Sequence, residues 1–231
     1  MIRQRVALSW SSGKDSAWTL HRMRQNPDIE VVTLVTTVNE EFNRVAMHAV
    51  RQELLHAQAE AAGLPLIEVP IPYPCSNADY ESRMRALIER LQSERIERMA
   101  FGDLYLEDIR AYREKQLQGT GITPLFPLWN EPTAALARSM IAGGLKAVLT
   151  CVDPMRLAPE FCGREFNAEL LDALPAGVDP CGENGEFHSF ACAGPMFRAP
   201  ITVEVGETVE RDGFVFTDLS RSRDPLPAQY A

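Results

Sequence analysis

Runs of apolar residues recur along this chain at strand and helix spacings, separated by short polar or Gly/Pro-containing breaks. Val6-Ala7-Leu8 is a short apolar run that reads as a buried strand, and residues 17–23 read as the helix after it. Residues 29–38 are β-branched and nearly continuously apolar, the pattern of a strand covered on both faces of a parallel sheet. A polar loop follows at 39–44. Residues 48–62 put Val50, Leu54, Ala57 and Ala61 on one helical face, with Gly63 as the stop and Pro65 beyond. The alternation continues through a strand at 66–71, a long amphipathic helix at 79–95 and a strand at 98–103 ending in Gly102-Asp103. A helix at 107–118, a short extended segment at 124–129, a helix at 133–142 and a fifth strand at 145–152 complete it.

Strands and helices alternating at this spacing predict an α/β fold, a doubly wound parallel five-stranded sheet. After residue 153 the helical signal thins to 166–173, and short β-type runs take over at 186–190, 201–205 and 213–216. The expected organisation is a nucleotide-binding domain over 1–153, a smaller C-terminal α+β lobe over 154–220 that serves the substrate, and a flexible tail over 221–231. No internal repeat or low-complexity tract interrupts it.

Composition narrows the class. With 231 residues, 45% of them apolar, the chain can bury a sizeable core. No apolar run reaches the ~18 residues that span a bilayer. The first residues lead straight into a strand without a signal-peptide core, so a soluble cytoplasmic protein is expected and no membrane partner. A net charge of −9 argues against a protein that grips nucleic acid by its phosphates. The five cysteines are odd in number and include no C-x-x-C, which points away from a disulfide framework or a zinc ribbon. Cys151 reads as core. Cys181, beside a Gly-rich acidic turn, leaves reactivity open.

The chemistry concentrates at the first strand-to-helix turn. Ser11, Ser12 and Gly13 let the backbone pass close to a ligand, and the helix start offers free N–H groups and a positive dipole end to an anion. Lys14 adds a charge, Ser16 a hydroxyl, and Asp15 a hard oxygen ligand suited to Mg²⁺. This is phosphate-binding chemistry, but not a Walker A loop, because Lys14 is followed by Asp15 and the glycine spacing differs. Ligands of open α/β sheets sit beyond the C-terminal ends of the strands, where the 39–44 loop, Asp103 and Asp153 also fall. Asp103 is the best second carboxylate for a metal or an amine, or else caps the next helix. Glu107 and Arg110, three residues apart, either serve that site or pair with each other.

A second dense stretch is Asp179-Pro180-Cys181-Gly182-Glu183-Asn184-Gly185-Glu186-Phe187-His188-Ser189-Phe190. Two glycines make a tight turn. On a strand, Glu186 and His188 share one face and form an acid–imidazole pair able to relay protons; the alternative is a polar hairpin tip.

The run Ser11-Ser12-Gly13-Lys14-Asp15-Ser16 resembles the S-G-G-K-D-S loop of the PP-loop, or N-type ATP pyrophosphatase, superfamily, with Ser12 where that family usually has glycine. Gly102-Asp103 with Arg110, Pro127-Leu128-Trp129 and the C-G-E-x-G-E box at 181–186 follow in the order seen in diphthine–ammonia ligase and its ATP-binding relatives. The resemblance covers roughly residues 6–197. Phe187-His188-Ser189-Phe190 looks like the branch of that family with F-H-[TS]-F, which leaves the acceptor open and retains the ATP chemistry.

The resemblance implies an adenine nucleotide alpha hydrolase-like (HUP) fold that cleaves ATP to AMP and pyrophosphate to activate a carboxylate, or a carbonyl oxygen, for amidation. It implies ATP bound by Ser11, Ser12, Gly13, Lys14, Asp15 and Ser16, with Mg²⁺ at Asp15. Lys14, Asp15, Asp103, Glu183 and Glu186 are then the catalytic set, and Arg110, Gly182 and His188 bind the substrate. The acceptor is a small molecule or a protein side chain, and ammonia the amine; no N-terminal Cys nucleophile marks a glutaminase. Two alternatives stand beside this. An RNA-modifying PP-loop enzyme would want a basic groove and catalytic cysteines, and a non-catalytic ATP/AMP sensor would need only the loop. Assembly into a homo-oligomer is left open.

Overall fold

The computed structural model describes residues 3–41, 44–45 and 50–222. Part of the expected 39–44 loop, the first residues of the expected 48–62 helix and the tail from 223 lie outside the described residues. Strand β1 (Gln4–Ser9) is central. It is flanked in parallel by β2 (Ile29–Asn39) and β5 (Arg98–Ala100). Beyond them lie β4 (Leu66–Ile71), parallel to β2, and β6 (Thr123–Leu125), parallel to β5. The two-residue β3 (Arg44–Val45) runs antiparallel against the end of β2.

Burial follows from strand alternation. Val6 and Leu8 point into a cluster with Ala17, Leu20 and Met23 of α1 (Lys14–Arg24) and Leu54 and Leu55 of α2 (Gln52–Ala62). Ala7 points the other way, toward Leu87 and Leu91 of α3 (Asn77–Ser93) and Leu117 of α4 (Glu107–Leu117). Helices therefore cover both faces, as the alternation predicts. Gly63 ends α2 in the left-handed conformation at φ 66°, as its place in the sequence requires. Ser76 caps α3, accepting from the Asp79 amide at 3.1 Å, so that helix begins before residue 79.

One expectation is corrected. The strand at 145–152 is not the fifth parallel strand. That place is taken by β6, whose Pro124 is tolerated because β6 is an edge. After α5 (Thr133–Ala142) the apolar run becomes β7 (Lys146–Val152) of a second, antiparallel sheet. There it lies between β8 (Phe187–Ala193) and β10 (Phe214–Arg221), with β9 (Val203–Arg211) outermost. An apolar run announces burial on both faces and does not name the sheet. The short helix α6 (Ala168–Ala173) starts from Asn167, whose side chain accepts from Leu170.

The cluster on the α1 side of the parallel sheet continues into the second sheet through Leu149, Phe190 and Ala191. Helix α1 is thus packed between the two sheets, and its N-terminus is covered by β8. Among the described residues no helix is long and apolar enough to cross a membrane.

Candidate active site

The step from β1 into α1 is held from both sides. The Ser11 hydroxyl accepts from the Gly13 amide at 3.3 Å and donates to Ser16 Oγ at 3.2 Å, and Ser16 Oγ donates to the Gly13 carbonyl at 3.0 Å. From β8, Ser189 Oγ accepts the Lys14 amide at 3.2 Å, and the Ala191 amide donates to the Ser12 carbonyl at 2.9 Å. Among the described residues no other residue takes the amide hydrogens of Asp15 and Ser16, and the Asp15 amide lies against its own carboxylate. Gly102 passes close by. A Cβ there would lie 3.1 Å from the backbone of Asp15 and Ser16, so only glycine fits without a shift.

Ser12 sits at φ 69°, fully buried, with a hydroxyl that finds no partner. A left-handed non-glycine residue costs about 1–2 kcal/mol, and an orphaned buried hydroxyl adds to that. Ser12→Gly is expected to stabilise the protein by about 1 kcal/mol after the extra unfolded-state freedom of glycine is subtracted. A thermal melt that rises by about 2–4 °C would bear this out; an unchanged or lower midpoint would refute it.

Lys14 is only 2% exposed. Its ammonium bonds Asp15 Oδ1 at 3.0 Å and Oδ2 at 2.8 Å and donates to the Cys181 carbonyl. It also lies over the rings of Phe166 and Phe187, 5.6 and 5.3 Å from their centroids. Burial works against its charge, but Asp15 and the surrounding acids outweigh that and hold its pKa above the ordinary lysine value. Burial pushes the Asp15 carboxyl upward, with Lys14 opposing.

A cavity of 560 Å³ opens beside this turn. Of the residues singled out in the sequence, Ser11, Gly13, Lys14, Asp15, Ser16, Asp103, Gly182, Glu183 and His188 line it. Asp103 does not cap α4, whose N-cap is Leu106. Burial raises the Asp103 pKa, and Arg113 counteracts it. Glu183 Oε1 accepts the Leu104 amide at 2.7 Å; burial pushes its carboxyl up to about 7. Burial, with the Lys14 charge, lowers His188 to about 4. Cys181 is a core group, its buried thiol pushed up to about 12 and near the Thr133 carbonyl.

Three residues fall elsewhere. Ser12 stands behind the loop. Glu186 precedes β8 and is buried, its Oε1 accepting from the Asp179 amide at 3.0 Å and from Asn184 Nδ2 at 3.1 Å. It braces the turn, one residue before β8 begins at Phe187. Arg110 is turned away, bonded to Glu114 at 2.8 Å and stacked over Phe126 and Trp129. Of the two alternatives left open for Arg110, a role in the site or a surface pair with Glu107, the structure shows neither and pairs it with Glu114.

The residues of α4 that do face the cavity are Leu106 at its N-cap, Ile109 and Arg113. Their 3–4 residue spacing is the signal that could have singled out Arg113. Asp179 is the other omission. Its carboxylate accepts from the Cys181 amide at 2.7 Å and the Thr133 hydroxyl at 2.7 Å, and so shapes the 179–183 turn. Gly182 completes that turn at φ 70°, where a Cβ would lie 2.8 Å from the Phe187 carbonyl.

Two family models match the chain in succession: the diphthamide synthase N-terminal domain over residues 4–124 and the diphthamide synthase C-terminal domain over residues 132–222. The chain belongs to the diphthamide synthase family. Similar proteins include the diphthine–ammonia ligase of Rattus norvegicus, 26% identical, with 95% of this chain and 90% of that protein covered. That of Danio rerio is 26% identical, with 86% of each covered. Among solved structures, the U34-tRNA thiolase of Methanococcus maripaludis aligns with a TM-score of 0.39 at 17% identity, covering 62% of this chain and 58% of that one. In this member of the diphthamide synthase family, the N-terminal segment supplies the loop, Asp103 and α4, and the C-terminal segment supplies the 181–189 wall. The cavity lies at their junction, and Lys14 spans it.

The ionisation of Glu183 carries a signed consequence for this family member. Its pKa is about 7 folded against 4.5 for the free side chain, so its protonated form adds stability below pH 4.5 that is lost as pH rises through 7. His188 acts oppositely: held neutral, it loses stability as pH falls from 6.5 toward 4. Glu183→Gln stays neutral and keeps an oxygen for the Leu104 amide. It is expected to match the parent at pH 4 and exceed it by about 1–3 kcal/mol at pH 8. Urea unfolding at both values measures this, and equal stabilities at pH 8 would count against it.

Proposed function

We propose that this protein is an ATP-dependent, AMP-forming ligase that activates an acceptor carboxylate and passes it to ammonia. The observation that carries this reading is the convergence of the helix-start amides of Asp15 and Ser16 with the carboxylates of Asp15, Asp103 and Glu183 on one cavity. Helix N-termini bind phosphate, and the cavity has room for it. A second cavity of 210 Å³, lined by Trp10, Val35, Thr36 and Met99 among others, shares Ser9, Ser11, Phe101 and Arg113 with the first. We assign it to the nucleoside end, because it adjoins the phosphate cradle and offers the side chains of Trp10, Leu87, Met99 and Phe101 as walls.

The donor set suits Mg²⁺. Asp103 Oδ2 is buried without a hydrogen-bond partner, and no cluster of three metal-ligating side chains occurs among the described residues. Mg²⁺ commonly takes one or two carboxylates and completes its shell with phosphate and water. Asp15 and Asp103 would hold it, and it would neutralise phosphate charge. The loop amides would orient the triphosphate so that an acceptor carboxylate attacks the α-phosphorus and pyrophosphate leaves. Glu183, titrating near neutrality, would accept a proton from the incoming amine as it displaces AMP. The named activity of the relatives supports ammonia as the amine. The acceptor is proposed as a carboxylate on a small molecule or a protein side chain, recognised by the wall that Asp153, Arg156, His188 and Phe214 supply.

The test is a product analysis. Protein, Mg·ATP, ammonium and a metabolite extract are incubated beside a Lys14→Ala control, and AMP is separated from ADP. AMP with pyrophosphate, lost in the control, is expected. ADP with phosphate would overturn the reading.

A further inference from the structure

Arg113 is held by aromatic rings and by a loose ion pair with Asp103, and it stands where two cavities meet. It projects from the cavity-facing stripe of α4, its guanidinium 5.0 Å from the Phe101 ring centroid and 6.0 Å from that of Tyr112. Its Nε is buried and has no hydrogen-bond partner. Asp103 Oδ2, equally buried, is its ion-pair partner at 3.5 Å, and neither atom has a short hydrogen bond. A buried donor and a buried acceptor joined only by so long a contact retain hydrogen-bonding capacity that a ligand can take up.

Position gives the pair its meaning. Arg113 lines both the larger cavity at the α1 N-terminus and the smaller one beside it. In ATP the α-phosphate is the group between the nucleoside and the outer phosphates. With the phosphates at the loop and the base in the smaller cavity, the α-phosphate falls at the seam where Arg113 sits. A guanidinium is a rigid fork suited to phosphate oxygens, and stacking on Phe101 holds its plane.

Building on the nucleotide reading above, we propose that Arg113 is a catalytic residue that donates to the α-phosphate, withdrawing charge from the phosphorus under attack. Substrate carboxylate oxygen forms the new bond to phosphorus, the bridging oxygen to the β-phosphate leaves with pyrophosphate, and Arg113 keeps its proton throughout. Arg110, engaged by Glu114, Phe126 and Trp129, does not share this role.

The experiment uses the full chain and needs no acceptor. Adenosine, AMP and inorganic pyrophosphate are titrated calorimetrically into the parent, Arg113→Ala and Arg113→Lys, with melting curves for each. Arg113→Ala is expected to lose about tenfold or more in AMP affinity while binding adenosine as the parent does, with Arg113→Lys recovering part of the loss. AMP affinity equal to the parent's in Arg113→Ala would overturn the proposal. So would a parallel loss of adenosine and AMP binding with a lowered melting point, which marks a structural residue. A parent that binds neither adenosine nor AMP would bring down the nucleotide reading itself, and this inference with it.

Discussion

Lys14→Ala is expected to abolish AMP formation, by at least about 10³-fold, and to lower the unfolding free energy by about 3 kcal/mol. Both effects come from one geometry. The three N–H donors of the ammonium serve the two Asp15 oxygens and the Cys181 carbonyl, and the charge rests between two phenylalanine rings. Alanine leaves a largely buried carboxylate and a buried carbonyl without their donor, the case in which breaking an ion pair is most damaging. From the sequence a lysine in a phosphate loop is expected to be dispensable to the fold. The structure makes it a bridge between the first turn of α1 and the C-terminal wall. Activity loss in this variant therefore has to be read beside a urea titration. Glu183→Gln supplies the contrast, because it should lose activity while gaining stability at pH 8. A Lys14→Ala protein that forms AMP at the parental rate and unfolds at the parental urea concentration would remove Lys14 from both roles.

The main features of the site were legible because its chemistry is local. The strand, the small residues and the helix start at 6–23 are read from adjacent residues alone, and the tight turn expected at Gly182 is present at φ 70°. What escaped was set by orientation and by long-range partners. Arg110 and Arg113 are both basic residues on one helix, and only the phase against Leu106 and Ile109 separates them. Glu186 was open between a pair with His188 and a polar hairpin tip, and its bonds to the Asp179 amide and Asn184 belong to the turn. The parallel order of the sheet was misassigned at its edge, since the three-residue β6 carries a proline and too few positions to show a period. Ser189, Asp179 and Gln58 hold the loop and its wall across long sequence separations, and no local spacing foretells such contacts.

Gln58→Leu is expected to lower the unfolding free energy by about 3–5 kcal/mol, although the two side chains are close in volume. Gln58 is fully buried on the same stripe of α2 as Leu54, a polar residue where the helix otherwise presents apolar ones. Its Oε1 accepts the Trp10 indole N–H at 2.9 Å, and its Nε2 donates to the Ser12 carbonyl at 3.0 Å and the Ala191 carbonyl at 2.6 Å. One amide thus ties together the residue that opens the loop, its left-handed serine and the strand of the second sheet that covers it. Leucine leaves the Trp10 N–H and the Ala191 carbonyl buried and unpaired, at about 1–3 kcal/mol each. The Ser12 carbonyl keeps only the Ala191 amide. On the proposal that the loop cradles the phosphates, slackening these ties should also weaken AMP binding by about tenfold under conditions where the variant is still folded. Urea unfolding with an unchanged slope, followed by calorimetry, separates the two effects. A loss below about 1 kcal/mol would mean that the amide network is replaceable by packing, and that the position of the loop is set by β8 through Ser189 and Ala191 instead.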